Sequence, residues 1–211
     1  VSGLFSLSKR SGVSRELSLA EVFQLGYYWE TKILLTAVKL DVFSAIDERP
    51  KSGQDIAGRL QADAPTLGLL LNALVAMKLL TKEAELYGNS SIAIKYLVRS
   101  SPQYVGHLLL LHDAEWNNWG KLEETIRTGK RTVDRHVFET DPELGSHVLA
   151  VLNRIGQQSG PDLAKRLKLA GRERMCDLGG GAGTNAIAFC QVYPDLHATV
   201  FDLQETLKLT E

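Results

Sequence analysis

Apolar positions recur at helical spacing through most of the first 170 residues. Ser18-x-x-Glu21 forms a capping box, in which a hydroxyl and a carboxylate each satisfy a free backbone N–H. Val22, Leu25, Tyr28, Trp29, Ile33, Leu34 and Ala37 follow on one face, which predicts a long amphipathic helix over 18–40. Val42, Phe43 and Ile46 predict a short helix ending before Pro50, and Ser52-x-x-Asp55 caps another carrying Ile56, Ala57 and Leu60. Asp63 with Pro65 opens a fourth, through Leu67, Leu70, Leu71, Leu74 and Met77. The period then changes. Residues 79–82 and 85–87 read as a small antiparallel hairpin, and helix returns at Ser91 with Ile94 and Leu97.

Helices followed by a hairpin, over residues 17–100, give the order of a winged helix-turn-helix. In a DNA-binding version the helix over 63–78 would be the reader, presenting Arg, Lys, Asn or Gln to base edges and phosphates. It offers only Asn72 and Lys78. Being apolar nearly all round, it is expected to be buried on several sides, so the module reads as dimerising rather than as a reader. With 24 basic and 25 acidic residues, the net charge of -1 creates no field drawing the molecule to nucleic acid. Nucleic acid is not an expected partner. Over residues 101–170 the helical pattern resumes, with Leu108, Leu111, Glu115, Trp119, Leu122 and Ile126 in one stripe, a polar break at 128–132, and a last helix over 142–169. Residues 1–16, rich in Ser, Gly, Arg and Lys, read as a mobile arm.

No apolar run approaches the roughly 20 residues that span a bilayer, so no membrane is expected. Cys176 and Cys190 are too few for a disulfide framework and have no metal-ligand spacing. They read as small buried residues in a reducing, cytoplasmic compartment.

The chemistry concentrates in residues 171–211. A strand over 174–176 leads into Asp177-Leu-Gly-Gly-Gly-Ala-Gly183; a helix from Thr184 ends at Pro194; a second strand over 197–201 ends at Asp202. Strand, glycine turn, helix, strand and acid make the first crossover of a Rossmann-like parallel sheet. Glycines permit a tight turn and close approach of backbone to ligand, the helix start offers free N–H groups, and Asp202 is placed to accept from ribose hydroxyls. Gly181-x-Gly183-x-x-Ala186 also satisfies the dinucleotide fingerprint, so an NAD-linked oxidoreductase stays open. Asp177 weighs against it. A dinucleotide brings a pyrophosphate to this loop, whereas S-adenosylmethionine brings only positive groups and a carboxylate, and an acid opening the loop suits the methyl donor.

At these residues the chain resembles the small-molecule O-methyltransferases that include plant phenolic, bacterial polyketide and acetylserotonin enzymes. The loop from Asp177 to Gly183 resembles the family's first cofactor motif, and Tyr193-Pro194 with Thr199-Val-Phe-Asp-Leu203 its second. Upstream, Tyr96-Leu97 before Ser101-Pro102, and Trp116 to Trp119 before Thr128-Gly129, resemble its N-terminal dimerisation domain. The resemblance implies a mainly α, winged-helix-like dimerisation domain (17–100), a helical linker bordering the acceptor pocket (101–170), and the truncated start of an α/β Rossmann-like methyltransferase domain (171–211). It implies a homodimer that binds S-adenosylmethionine. The expected cofactor residues are Asp177 opening the loop, Gly179 and Gly181 against the methionine part, Asp202 on the ribose and Leu203 beside the adenine, with Ser159 near the cofactor carboxylate.

The family's basic histidine would fall beyond Glu211, so the 211-residue chain is expected to be an incomplete, inactive portion. His107, His112, His136, His147 and His197 are the histidines present. His112 and Glu115 lie one turn apart, yet read as ordinary residues of a partly buried helix; His197 should face solvent; Tyr27-Tyr28-Trp29 reads as core or dimer interface. No metal constellation is visible. The reading is an O-methyltransferase acting on a small aromatic hydroxyl, and the alternative from another class is a non-catalytic dimerisation or regulatory module.

Overall fold

A computed structural model describes residues 16–132 and 137–208, so the expected arm lies almost wholly outside the described residues. The capping box forms, with Ser18 N–H donating to Glu21 Oε2 at 2.8 Å and Glu21 N–H to Ser18 Oγ at 3.3 Å. The single long helix foreseen from it is instead two, α1 (Leu19–Leu25) and α2 (Tyr28–Lys39). Gly26 closes α1, its N–H bonded to Phe23 O, and Tyr27 leaves the helical region at ψ 69°. Leu19, Val22, Phe23 and Leu25 are exposed, so among the described residues no packing holds α1 in line with α2.

A left-handed Asp41, paired with Arg99 at 2.9 Å, turns the chain into α3 (Val42–Ile46). β1 (Lys51–Ser52) precedes α4 (Gly53–Leu60), capped by Ser52, and Asp63 caps α5 (Ala64–Ala76). β2 (Leu80–Glu83) and β3 (Leu86–Asn89) form the foreseen hairpin, followed by α6 (Ser91–Tyr96). β1 adds a third antiparallel strand, in order β1-β3-β2, which a two-residue strand without alternation could not announce. Val38, Val42, Phe43, Ile46, Ile56, Leu71 and Leu74 form the core of this unit, each at most 2% exposed.

α5 corrects one expectation. Only its Leu67, Leu71 and Leu74 face is buried, and Leu69 is 72% exposed. Asn72, one of its two reader-like polar residues, accepts from Tyr87 Oη at 2.9 Å and from Lys82 Nζ at 3.3 Å, so it is spent on the sheet.

Next come α7 (Gly106–Ala114), α8 (Trp116–Trp119), α9 (Leu122–Thr128), α10 (Val137–Thr140) and the 26-residue α11 (Pro142–Leu167), whose first turn is capped by Asp141. α7 packs against both α2 and α11. Asp113 of α7, its side chain 7% exposed, bridges Lys32 at 2.6 Å and Lys39 at 2.7 Å, both on α2. Arg154 of α11 donates to the carbonyls of Pro102 at 2.8 Å and Tyr104 at 2.6 Å.

The final unit is β4 (Arg174–Leu178), α12 (Thr184–Val192), β5 (His197–Phe201) and α13 (Gln204–Lys208). β4 and β5 are parallel, with Arg174 opposite His197 and Leu178 opposite Phe201. Ala164, Ala188, Phe189 and Leu196 bury a small core with Met175. Cys176, expected buried, is exposed: the two-residue alternation turns Met175 and Asp177 inward and Cys176 outward. Cys190 is half-buried. No helix of the described residues is long and apolar enough to cross a membrane.

Candidate functional site

At the end of β4 the chain turns through Gly179 (φ 70°), Gly181 (φ 52°) and Gly183 (φ 67°), a left-handed conformation that side-chain-bearing residues rarely adopt. Gly180 is required by space instead. A Cβ there would lie 2.9 Å from both Asp177 Cγ and Val200 Cγ1. The loop is thus folded down on Asp177, whose Oδ2 is buried without a hydrogen-bond partner among the described residues.

Asp202 ties the loop from the other strand. Its Oδ2 accepts the Gly181 N–H at 2.7 Å and its Oδ1 accepts the Leu203 N–H at 2.7 Å, while Gly179 N–H donates to Phe201 O at 2.7 Å. Each carboxylate oxygen keeps a further lone pair for a hydroxyl.

α11 faces this loop across a crevice of about 630 Å³, lined by Leu149, Asn153, Gly156 and Ser159 of α11, by Thr184 of α12 beside them, and by Gly179, Gly181, Asp202 and Leu203 of the loop and the end of β5. Gly179, Gly181, Asp202 and Leu203, with Ser159, therefore meet on its wall; Asp177 lies beneath the loop and not on the wall. A wider hollow of about 900 Å³ lies at the opposite ends of the strands, by Arg174, Tyr193 and an exposed His197. Ligands of open α/β sheets sit outside the carboxyl ends of the strands, so the crevice is the candidate site.

The sequence reading missed the α11 wall, apart from Ser159. Leu149, Asn153, Gly156 and Ser159 recur at three- and four-residue steps along one face. A Cβ at Gly156 would lie 2.9 Å from Thr184 Cγ2, and one at Gly160 2.7 Å from Ala188 Cβ, so these glycines let α11 and α12 touch. Glycines inside a helical pattern, which cost stability, were the available signal.

The remaining candidates lie elsewhere. His112 is exposed, and Glu115 accepts from Asn118 Nδ2 at 2.8 Å. His107 stacks on His147 at 4.2 Å between ring centroids, beside a smaller hollow lined also by Arg99, Asp113 and Glu143. Burial, then His147 and Arg99, hold the His107 imidazole below its ordinary range against the opposing pull of Glu143. Hydrogen bonds from Lys32 and Lys39 hold the Asp113 carboxyl below its own. His136 lies outside the described residues. Tyr27, Tyr28 and Trp29 are 42%, 65% and 48% exposed, so they are not core of this chain. Among the described residues no group of His, Cys, Asp or Glu could hold a metal ion.

A helical unit followed by a parallel strand–glycine turn–helix–strand that closes on an acid defines a nucleotide-type cofactor-binding α/β protein. Residues 23–99 match the O-methyltransferase dimerisation domain and residues 119–210 the O-methyltransferase domain. The chain belongs to this family of O-methyltransferases. It is 32% identical over 184 residues to the tetracenomycin polyketide synthesis 8-O-methyl transferase TcmO of Streptomyces glaucescens, covering 84% of this chain and 54% of that protein. It is 29% identical over 185 residues to the N,N-dimethyltransferase OxyT of Streptomyces rimosus, covering 83% and 54%. The crystal structure of human N-acetylserotonin methyltransferase in complex with SAM superposes with a TM-score of 0.69 at 25% identity, over 95% of this chain and 64% of that one. The chain spans about half the length of the curated relatives it matches.

Proposed function

We propose that the crevice between α11 and the glycine loop holds S-adenosylmethionine, in a dimeric enzyme that moves a methyl group to a hydroxyl of a small aromatic acceptor. The observation that carries the reading is Asp177, buried beneath Gly180 with an unpartnered Oδ2. That charge repels a pyrophosphate and favours the ammonium and sulfonium of the methyl donor. When bound, the donor supplies a methyl group already activated as a leaving group's substituent. Gly179 and Gly181 give the methionine part close backbone approach, Asp202 accepts from the ribose hydroxyls with the lone pairs the loop leaves free, and Leu203 offers an apolar edge to the adenine.

The crevice residues bind and orient. No described histidine lines it, so the acceptor's proton is assigned to none of them. Orientation is itself a large part of such a transfer.

We read the helical unit (17–100) as the dimer-forming part, winged in shape without a DNA-reading helix, residues 101–170 as the link bordering the acceptor, and 171 onward as cofactor-binding. Exposed Leu19, Phe23, Leu25 and Trp29 support a partner copy on the α1–α2 face. Unpaired Cys176 and Cys190 support a reducing, cytoplasmic setting. Calorimetric titration with S-adenosylhomocysteine and, separately, NAD tests the reading: saturable binding of the first alone is expected, and binding of NAD in its place would overturn it.

A further inference from the structure

Asn153 sits on the crevice wall with its two amide atoms in different situations. Its Oδ1 accepts the Thr184 hydroxyl at 2.7 Å. Thr184 is the first residue of α12, and its Cγ2 is seated where a Cβ on Gly156 would come within 2.9 Å, so the hydroxyl is held from both helices. That bond fixes the carbonyl end of the Asn153 amide. The Nδ2 end, with two N–H groups, makes no hydrogen bond to another described residue, and the half-buried side chain leaves it open to the crevice it lines. Gly183, the residue before Thr184 and the N-cap of α12, has no side chain to satisfy the free N–H groups of the first turn.

A wall with a neutral double donor beside uncapped helix N–H groups, opposite a loop seated on a buried carboxylate, is divided by charge preference. Its α11–α12 side favours an acceptor-only anion, and its Asp177 side favours a cation. An amino acid's carboxylate and ammonium present that division at one carbon. We infer that Asn153, oriented by Thr184, is a specificity-determining residue that donates to the carboxylate of the donor's amino-acid end. The inference rests on the S-adenosylmethionine reading and names a residue that reading leaves unassigned.

The test is Asn153→Asp, which keeps an oxygen for the Thr184 hydroxyl and exchanges the two donors for a negative charge. Calorimetry compares S-adenosylhomocysteine with 5′-methylthioadenosine, which has the same nucleoside and no carboxylate. A loss of about tenfold or more in affinity for the first is expected, with the second unchanged within about twofold. Thr184→Val should move the same ratio less, and Thr184→Ser should restore it. Equal losses on both ligands in a variant of unchanged melting temperature would make Asn153 merely structural, and no loss on either would also overturn the inference. If the unmodified protein binds methylthioadenosine and S-adenosylhomocysteine equally, Asn153 reads no carboxylate; if it binds neither, the cofactor reading falls and takes this one with it.

Discussion

The carboxylate of Asp202 accepts the backbone N–H of Gly181 at 2.7 Å, so the acid ending one strand fastens the loop that ends its parallel neighbour. Asp202→Ala removes that acceptor and the expected ribose contact together. Binding of S-adenosylhomocysteine should weaken by about tenfold to a hundredfold, from the loss of charge-assisted hydrogen bonds. Asp202→Asn, which keeps one acceptor oxygen, should lose less. Titration calorimetry on both variants measures the order.

Gly180→Ala should destabilise the protein by about 1–3 kcal/mol, because a Cβ 2.9 Å from Asp177 Cγ and Val200 Cγ1 forces the loop off its seat. Gly58→Ala is the contrast. It lies within α4 with nothing among the described residues within 4 Å of a new Cβ, and should stabilise by about 0.5–1 kcal/mol. Urea unfolding midpoints of the two variants should move in opposite directions.

Gly160→Ala places a methyl 2.7 Å from Ala188 Cβ, where the bare backbone of α11 meets the Ala188 methyl of α12. A loss of about 1–3 kcal/mol is expected. The double variant with Ala188→Gly should recover part of it, a coupling that a thermodynamic cycle reads directly.

The Asp113 carboxyl is held below its ordinary value of 3.8 by Lys32 and Lys39, so its stabilisation is present above that pH and is lost as the pH falls through the folded value. His107 is held below its ordinary 6.5 by burial and by His147. The unfolded chain then binds the proton more readily, and stability is full above pH 6.5 and declines below it. Melting temperature should therefore fall between pH 7 and 5, and His107→Phe, which keeps a ring against Tyr104, should flatten that slope. Asp113→Asn should cost about 1 kcal/mol at neutral pH, because the partner lysines remain hydrated.

The helices and hairpin were legible because caps and periodicity are local. Ser18, Ser52 and Asp63 each bind the N–H three residues on, as their spacing implies. The loop and Asp202 were legible because glycine and an acid at strand ends have few other uses. What escaped depends on distant neighbours. Gly26 ends the first helix where α1 finds no packing among the described residues, and Cys176 is exposed because of the face its strand presents. Asn153 and Thr184 stand 31 residues apart and meet only once α11 lies on α12. Nothing local marks an asparagine in a helix as half of such a pair.

α11 is one continuous helix, about 39 Å long at 1.5 Å per residue, despite Pro161 within it. It packs on α7 and, further along, on α12, while Arg154 grips the carbonyls of Pro102 and Tyr104. α11, which lies wholly within the O-methyltransferase domain match, is thereby fastened to the segment that follows the dimerisation domain and, through α7, to α2. Melting should proceed as one cooperative event reported alike by the Trp29 end and the Phe189 end, and whatever fills the crevice should slow amide exchange in the helical unit as well as beside the loop.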